Sequence, residues 1–186
     1  MRNILRNRLA LSTVVTTLII LVVSVLLAGV VTYFAINVTS TRVQEESLHL
    51  TKQHVWYDAT GATSQAAIMI INTGGRDVVL DKITCRGQEK TWTDGVYFAT
   101  TTSSVSQDLS YLTGTISGQT VAGKTLAAAT TDLTLKSGET MIIYIDEPDS
   151  ITINDIGLTV ALTIFTSQAM YYKETNVQAV SPSGSS

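Results

Sequence analysis

The sequence contains a single cysteine, Cys85, among 186 residues, so no disulfide can form within the chain. Proline is almost as scarce, with two residues, and charged residues make up only 15% of the total. The net charge is -3, and the N-terminal arginines form the one basic cluster, which gives no electrostatic signature of nucleic-acid binding. The stability of the protein must therefore come from core packing, from assembly or from glycans.

Residue patterns typical of catalysis or metal binding are also missing. His49 and His54 are five residues apart with no cysteine near them, which favours solvent-facing histidines on a helix over a metal site. The acidic stretch 146–155 lacks the spacing of an EF-hand loop and indicates a turn with solvated acids. Cys85 has no base nearby in the sequence and is expected to be a small buried residue. We predict that the protein is not an enzyme and uses no cofactor or metal.

The sequence does contain one long apolar run: no charged side chain occurs between Arg8 and Arg42. A helix crosses a bilayer with about 20 apolar residues, whereas the apolar region of a secretory signal has about 7–15. The arginines before the run predict, by the positive-inside rule, that the N-terminus stays inside and the rest lies outside. Tyr33 and Phe34, near the outer end, fit the membrane interface.

Small residues recur along the run at spacings that place them near one helical face. These residues are Thr13, Thr17, Ser24 and Ala28. Such a stripe allows helices to approach closely. Two interpretations remain open: a single-pass anchor with incidental small residues, and a helix that packs against copies of itself.

The segment after the run, 40–58, has Val43, Leu48 and Val55 among polar residues and no proline or glycine before Gly61. This pattern predicts that the helix continues to residue 58 and becomes amphipathic.

From Ala66 onward, short apolar runs and turn residues predict β-strands. The run QAAIMII and the run that ends at Gly87 are expected to form a hairpin, and two further strands flank the turn 136–139. SITIND (150–155) is expected to be a short strand, and the alternation from Ile156 to Ile164 predicts another. The Ser/Thr/Gly-rich middle, 97–131, is expected to be exposed surface made of short edge strands and long loops. Together these strands imply an antiparallel sandwich.

The run RLALSTVVTTLIILVVSVLLAGVVTYFAI resembles the class III signal and hydrophobic helix of archaeal type IV pilins. AAIMIINTGGRDVVLDKITCRG and the strands around INDIGLTVALTIFTSQAMYY look like the β-rich head of such pilins, and they are shared with archaellins. The residue patterns and the resemblance together predict an α+β fold. It has a leader (1–10), a long N-terminal α-helix that is hydrophobic and then amphipathic (11–58), an Ig-like antiparallel β-sandwich head (62–178) and a flexible tail (179–186).

The resemblance further implies that a prepilin peptidase removes the leader and that the helix is retained as the filament core. Cleavage is expected between Ala10 and Leu11, with the bond between Leu9 and Ala10 as the alternative. The implied partners are copies of the same chain in a homopolymeric filament, the membrane before assembly, and the pilus assembly machinery. The implied function is surface attachment by an extracellular filament. The alternatives are an archaellin and a monomeric membrane-anchored surface binding protein.

One short modification motif is present. Asn37-Val38-Thr39 is an N-glycosylation sequon near the outer end of the apolar run. We therefore expect Asn37 as a possible glycan attachment site.

Overall fold

The structure is a computed structural model that describes residues 2–43 and 45–180, with side chains for 11–40 and 45–180. The chain divides into two compact units, Met1–Gln44 and Glu45–Ser186. We call the second unit the head. The first unit consists of one α-helix, α1 (Arg2–Val43). The strands of the head, among the described residues, are β1 (Leu48–Asp58), β2 (Thr63–Asn72), β3 (Val78–Cys85), β4 (Gln88–Lys90), β5 (Val96–Thr101), β6 (Thr120–Val121), β7 (Lys124–Thr125), β8 (Ala127–Ala128), β9 (Leu133–Leu135), β10 (Thr140–Asp146), β11 (Thr159–Thr166) and β12 (Met170–Ala179).

The helix α1 covers the whole uncharged run and ends at Val43. The predicted continuation of the helix to Asp58 is wrong, because Leu48–Asp58 forms strand β1. The first unit is therefore a mostly apolar helix with a basic start, and the head begins earlier than the predicted residue 62.

A β-bulge explains why β1 has the sequence pattern of a helix. The pairing of β1 with β2 shifts between Thr51 and His54, and Lys52 has a φ of 52°. Because two residues of β1 oppose one of β2 here, the side chains change faces. Leu48 and Leu50 point inward before the bulge, and Val55 points inward after it. The interval of seven residues between Leu48 and Val55 thus mimics two helical turns.

Ten of the described strands form one curled sheet with the order β4-β3-β11-β12-β1-β2-β10-β5-β8, and β9 pairs with β3. The short strands β6 and β7 pair only with each other. Neighbouring strands are antiparallel except for β1 and β12, which are parallel at Val55–Tyr57 and Val177–Ala179. The sheet folds so that β3, β11 and β12 face β1, β2 and β10, and one apolar cluster containing side chains from both halves lies between them. We call it the inner cluster.

The strand directions define two ends of the head. The chain enters the head at Glu45–Ser47, and β1 runs from there to Asp58. We call the end with residues 45–47, loop 73–77 and turn 136–139 the proximal end. The opposite end, which contains the turn 59–62, the start of β11 and the end of β12, is the distal end.

Several predicted strand relationships differ from the structure. The strands β2 and β3 do not form a hairpin, because β2 pairs with β1 and β10 whereas β3 pairs with β11. The strands around turn 136–139 exist, yet β9 pairs with β3 and β10 with β2. The segment predicted as a short strand contains a 3₁₀-helix, Ile153–Asp155. Turn chemistry indicated where strands end but not which strands meet.

The Ser/Thr-rich middle of the chain also has a larger role than predicted. It begins with β5, which pairs with β10 inside the sheet. Residues 102–129, which we call the loop layer, then cover the outer face of β1, β2 and β10. The loop layer contributes Leu109, Ile116 and Leu126 to a second buried apolar cluster, the outer cluster. Because both faces of β2 and β10 are covered, these strands read as continuous apolar runs.

The predicted fold class is confirmed: one long apolar N-terminal helix precedes a mostly antiparallel, curled β-sheet head. The expected alternation along the last apolar run is confirmed for Val160, Leu162 and Ile164, which are buried in the inner cluster. Ile156 and Leu158 precede β11 and remain exposed.

Candidate functional site

The apolar helix is the first candidate. The segment Leu11–Ser40 spans 30 residues and contains an 18-residue window with a mean hydropathy of 2.9, none of which is buried. At 1.5 Å per residue the segment is about 45 Å long, which exceeds the hydrocarbon thickness of about 30 Å. The helix is long and apolar enough to cross a membrane, and its apolar side chains point to all sides.

The hydroxyl groups of the helix donate to its own backbone. The Oγ1 of Thr17 donates to the carbonyl of Val14 at 2.9 Å, and the Oγ of Ser24 donates to that of Ile20 at 2.7 Å. Thr16 and Thr32 bond to carbonyls four residues earlier in the same way. These donors are therefore satisfied in an apolar medium, where an unmade hydrogen bond is costly.

The predicted packing residues all lie in this helix. At 100° per residue Thr13, Thr17, Ser24 and Ala28 fall within an arc of about 60°. The helical geometry is thus as predicted, and the use of this stripe for packing stays a prediction. Gly29 lies on another side of the helix, and a Cβ added there would meet nothing within 4 Å.

The processing and modification residues also fall on α1. Ala10 and Leu11 are consecutive helical residues; the side chain of Ala10 lies outside the described part, and Leu11 is exposed. Asn37 lies in the helix, six residues before its end at Val43, whereas sequons that carry glycans commonly lie in surface loops. Cleavage at Ala10–Leu11 and a glycan on Asn37 remain predictions.

The second candidate site is the outer surface of the head, which the loop layer forms. Polar side chains from the sheet attach the loop layer to the outer face of β1, β2 and β10. The Lys52 Nζ donates to the carbonyl of Ser106 at 2.8 Å and also to that of Gln107. Gln65 bonds to both backbone groups of Leu112, and the Tyr144 hydroxyl donates to the carbonyl of Ser110 at 3.0 Å. The loop layer is thereby fixed along residues 106–112.

His54 takes part in this attachment. Its Nε2 lies 3.1 Å from the Asp108 carboxylate, and its ring stacks on Trp56 with centroids 5.1 Å apart. The hydrogen bond from His54 lowers the pKa of Asp108. The Nδ1 of His54 is buried and makes no hydrogen bond. His54 was predicted to face solvent from a helix, but it is a half-buried residue of strand β1. The prediction failed because the bulge in β1 was not recognised.

Burial controls two other titratable groups. It raises the pKa of Tyr144 to about 12, although the bond to Ser110 opposes the shift. It also raises the pKa of Cys85 to about 11. The expectation that Cys85 is a small buried residue is confirmed.

The acidic stretch is partly paired rather than fully solvated. Asp155 accepts hydrogen bonds from the backbone and hydroxyl of Thr152, both at 2.8 Å, and from Arg86. These hydrogen bonds lower the pKa of Asp155, and the bond from the Thr152 hydroxyl has the largest effect. The buried Lys90 Nζ lies 3.1 Å from Asp94 and 3.9 Å from Asp149. No group of three or more His, Cys, Asp or Glu side chains arranged for a metal occurs among the described residues.

Comparisons with known proteins add little. No family model matches the chain, and no curated protein matches it. A solved structure, the ligand binding region of Serine-glutamate repeat protein A (SgrA) of Enterococcus faecium, is similar at 16% identity and a TM-score of 0.29. The similarity covers 74% of this chain and 99% of that chain. At that TM-score it carries no argument about function.

Proposed function

We propose that this chain is a structural subunit of an extracellular archaeal type IV pilus that serves surface attachment, assembled through α1. The observation that carries the proposal is the uncharged segment Leu11–Ser40, exposed on all sides and joined to a head with its own core. A helix that is hydrophobic all round must be buried in a membrane or among other helices.

The apolar surface of the helix is large. Between Leu11 and Val38 there are 18 large apolar side chains, each at least 43% exposed. At about 1 kcal/mol for each side chain removed from water, their burial would contribute on the order of 20 kcal/mol. A chain released into water would therefore aggregate, whereas a bundle of helices in a filament core would be very stable.

The polar groups of the helix are compatible with both environments. Because Thr17, Ser24 and Thr32 bond to their own backbone, moving from lipid to a helix bundle breaks no hydrogen bond. The helices would then associate through close packing at small residues such as Ala28 rather than through new polar contacts.

The surface of the head supports attachment as the use of the filament. Ser and Thr occupy 12 of the 30 positions from 102 to 131, and Asp108 and Lys124 are the charged residues there. Most of these hydroxyl side chains are exposed. Such a surface offers many hydrogen-bonding groups with little net charge.

Electron microscopy of sheared surface material, with the N-terminal residue of the subunit determined, tests the proposal. We expect filaments whose subunit starts at or near Leu11. Material without filaments, with the protein retained in the detergent-extracted membrane, would instead favour a monomeric anchored surface protein. Loss of swimming on gene deletion would favour an archaellin, and loss of attachment with swimming intact would favour the pilus subunit.

A further inference from the structure

The strand β1 occupies a special place in the head, because the chain enters the head directly before it. Nine residue pairs join β1 to β2, from Leu48 to Asp58. On its other side β1 pairs with β12 at Val55–Tyr57. Any tension that reaches the head through the preceding chain therefore arrives at the start of a strand bonded on both sides.

The residues just before β1 are held by the proximal end of the head. The Thr166 hydroxyl donates to the Glu46 carboxylate at 2.6 Å. The backbone N–H groups of Thr73 and Gly74 donate to the carbonyl of Ser47 at 2.9 and 3.1 Å. Tension must break these contacts before it reaches Leu48.

The direction of β1 determines how the tension is shared. The chain enters at the proximal end, and the parallel pairing of β1 with β12 lies at the distal end. When the distal end is held, the strand is pulled along its own axis. Its hydrogen bonds are then strained together, whereas a pull across the strand would break them one pair at a time.

The bulge prevents β1 from sliding under such a pull. A slip of one residue would turn every side chain to the opposite face. A slip of two residues, about 7 Å, preserves the faces of a regular strand. In β1, however, it would move Lys52 into the site of Leu50 in the inner cluster and Val55 into the bulge. A buried ammonium group without a partner is strongly unfavourable.

Side chains at the bulge oppose the same movement. Lys52 and His54 are bonded to residues 106–108 of the loop layer. Displacing β1 would break these contacts together with the backbone pairs.

We propose that β1 is a mechanical clamp, and that the bulge at Lys52–Gln53 fixes its register against tension applied where the chain enters the head. The proposal rests on the proposed function only in that α1 holds the chain, whether in a filament or in a membrane. The clamp belongs to a single molecule, so its test does not require filaments.

The test is pulling of single full-length chains in detergent by optical tweezers. The handles are attached to cysteines introduced by Glu45→Cys and Ser186→Cys, with the buried Cys85 replaced by alanine. The control geometry combines Glu45→Cys with Lys136→Cys, which lies at the proximal end beside the first handle. At equal pulling speed we expect at least about twofold higher rupture force in the first geometry, because forced unfolding is governed by the barrier along the pulled direction. Equal forces would overturn the clamp.

A second pair of variants tests the bulge. Deletion of Lys52 combined with Gln53→Val gives a regular strand whose inner face carries Leu48, Leu50, the introduced valine and Val55. Lys52→Ala removes the contacts with the loop layer and keeps the bulge. We expect the first variant to lose about half of the rupture force or more in the first geometry and the second to keep most of it. Wild-type resistance without the bulge would overturn its role. If the deletion prevents folding, the comparison of pulling directions still decides the clamp.

Discussion

Gly74 is the residue at which the smallest substitution should have the clearest effect. A Cβ at this position would lie 2.6 Å from the carbonyl oxygen of Glu45 and 2.8 Å from the backbone nitrogen of Ser47. Both are backbone atoms, so the segment that enters the head must move. Overpacking of this kind costs about 1–3 kcal/mol. Weakening the two N–H bonds to the Ser47 carbonyl adds about 0.5–1.5 kcal/mol for each. We therefore expect Gly74→Ala to lower the free energy of unfolding by about 2–6 kcal/mol.

The assay is thermal unfolding of the purified full chain in detergent, followed by the near-ultraviolet circular dichroism of the two tryptophans. For a domain of this size about 1 kcal/mol corresponds to about 2–4 °C, so the midpoint should fall by roughly 4–24 °C. Gly61→Ala is the matched control, since its nearest contact would be the movable side chain of Asp58 at 3.2 Å. Equal midpoints for the two variants would refute the close approach at Gly74 as the reason for glycine there.

Three further predictions concern the helix and the titratable groups. Ala28→Leu, on the small-residue stripe, should reduce the yield of sheared filaments at least about tenfold because it blocks close helix approach. Gly29→Leu, on another side of the helix, should still assemble into filaments. Equal yields from the two variants would argue against packing through the stripe. The Asp108 carboxyl has a pKa below its usual 3.8 in the head, so its contribution to stability is present above the unfolded pKa and is lost as the pH falls through the folded pKa. Denaturant titrations at several pH values should accordingly show that the free energy of unfolding falls less below pH 3.8 in Asp108→Asn than in wild type. An equal decrease in the two proteins would contradict this prediction. Cys85, buried and with its pKa raised to about 11, should react with a thiol reagent at pH 8 only after unfolding, as a spectrophotometric thiol assay would show, and rapid reaction of the native chain would contradict its burial.

The elements that could be predicted are those whose burial pattern is regular along their length, either uniform or alternating. The uncharged run needs no tertiary information to read as a helix, because an apolar chain must satisfy its backbone internally. The runs of β2 and β10 are apolar throughout because the loop layer covers their second face. The alternation Val160, Leu162, Ile164 reports one buried face directly.

What could not be predicted depends on contacts distant in sequence or on a local break in pattern. The bulge at Lys52–Gln53 removes the period of two on which strand prediction depends. The pairing of β2 with β10 joins residues 65–71 to residues 140–146, and no local signal specifies it. Among the site residues, Lys52 and His54 were missed as attachment points for the loop layer for the same reason, whereas the candidates in α1 required only helical spacing.

Most of the hydrogen bonds that attach the loop layer do not depend on which side chains the layer carries. The carbonyls of Ser106, Gln107 and Ser110 accept hydrogen bonds from Lys52 and Tyr144. These are main-chain groups, which every amino acid supplies. Exchanging the exposed Ser and Thr side chains leaves such bonds in place, provided that the buried leucines and isoleucine are kept. The exposed side chains of the loop layer can therefore change without a change in the backbone framework of the head.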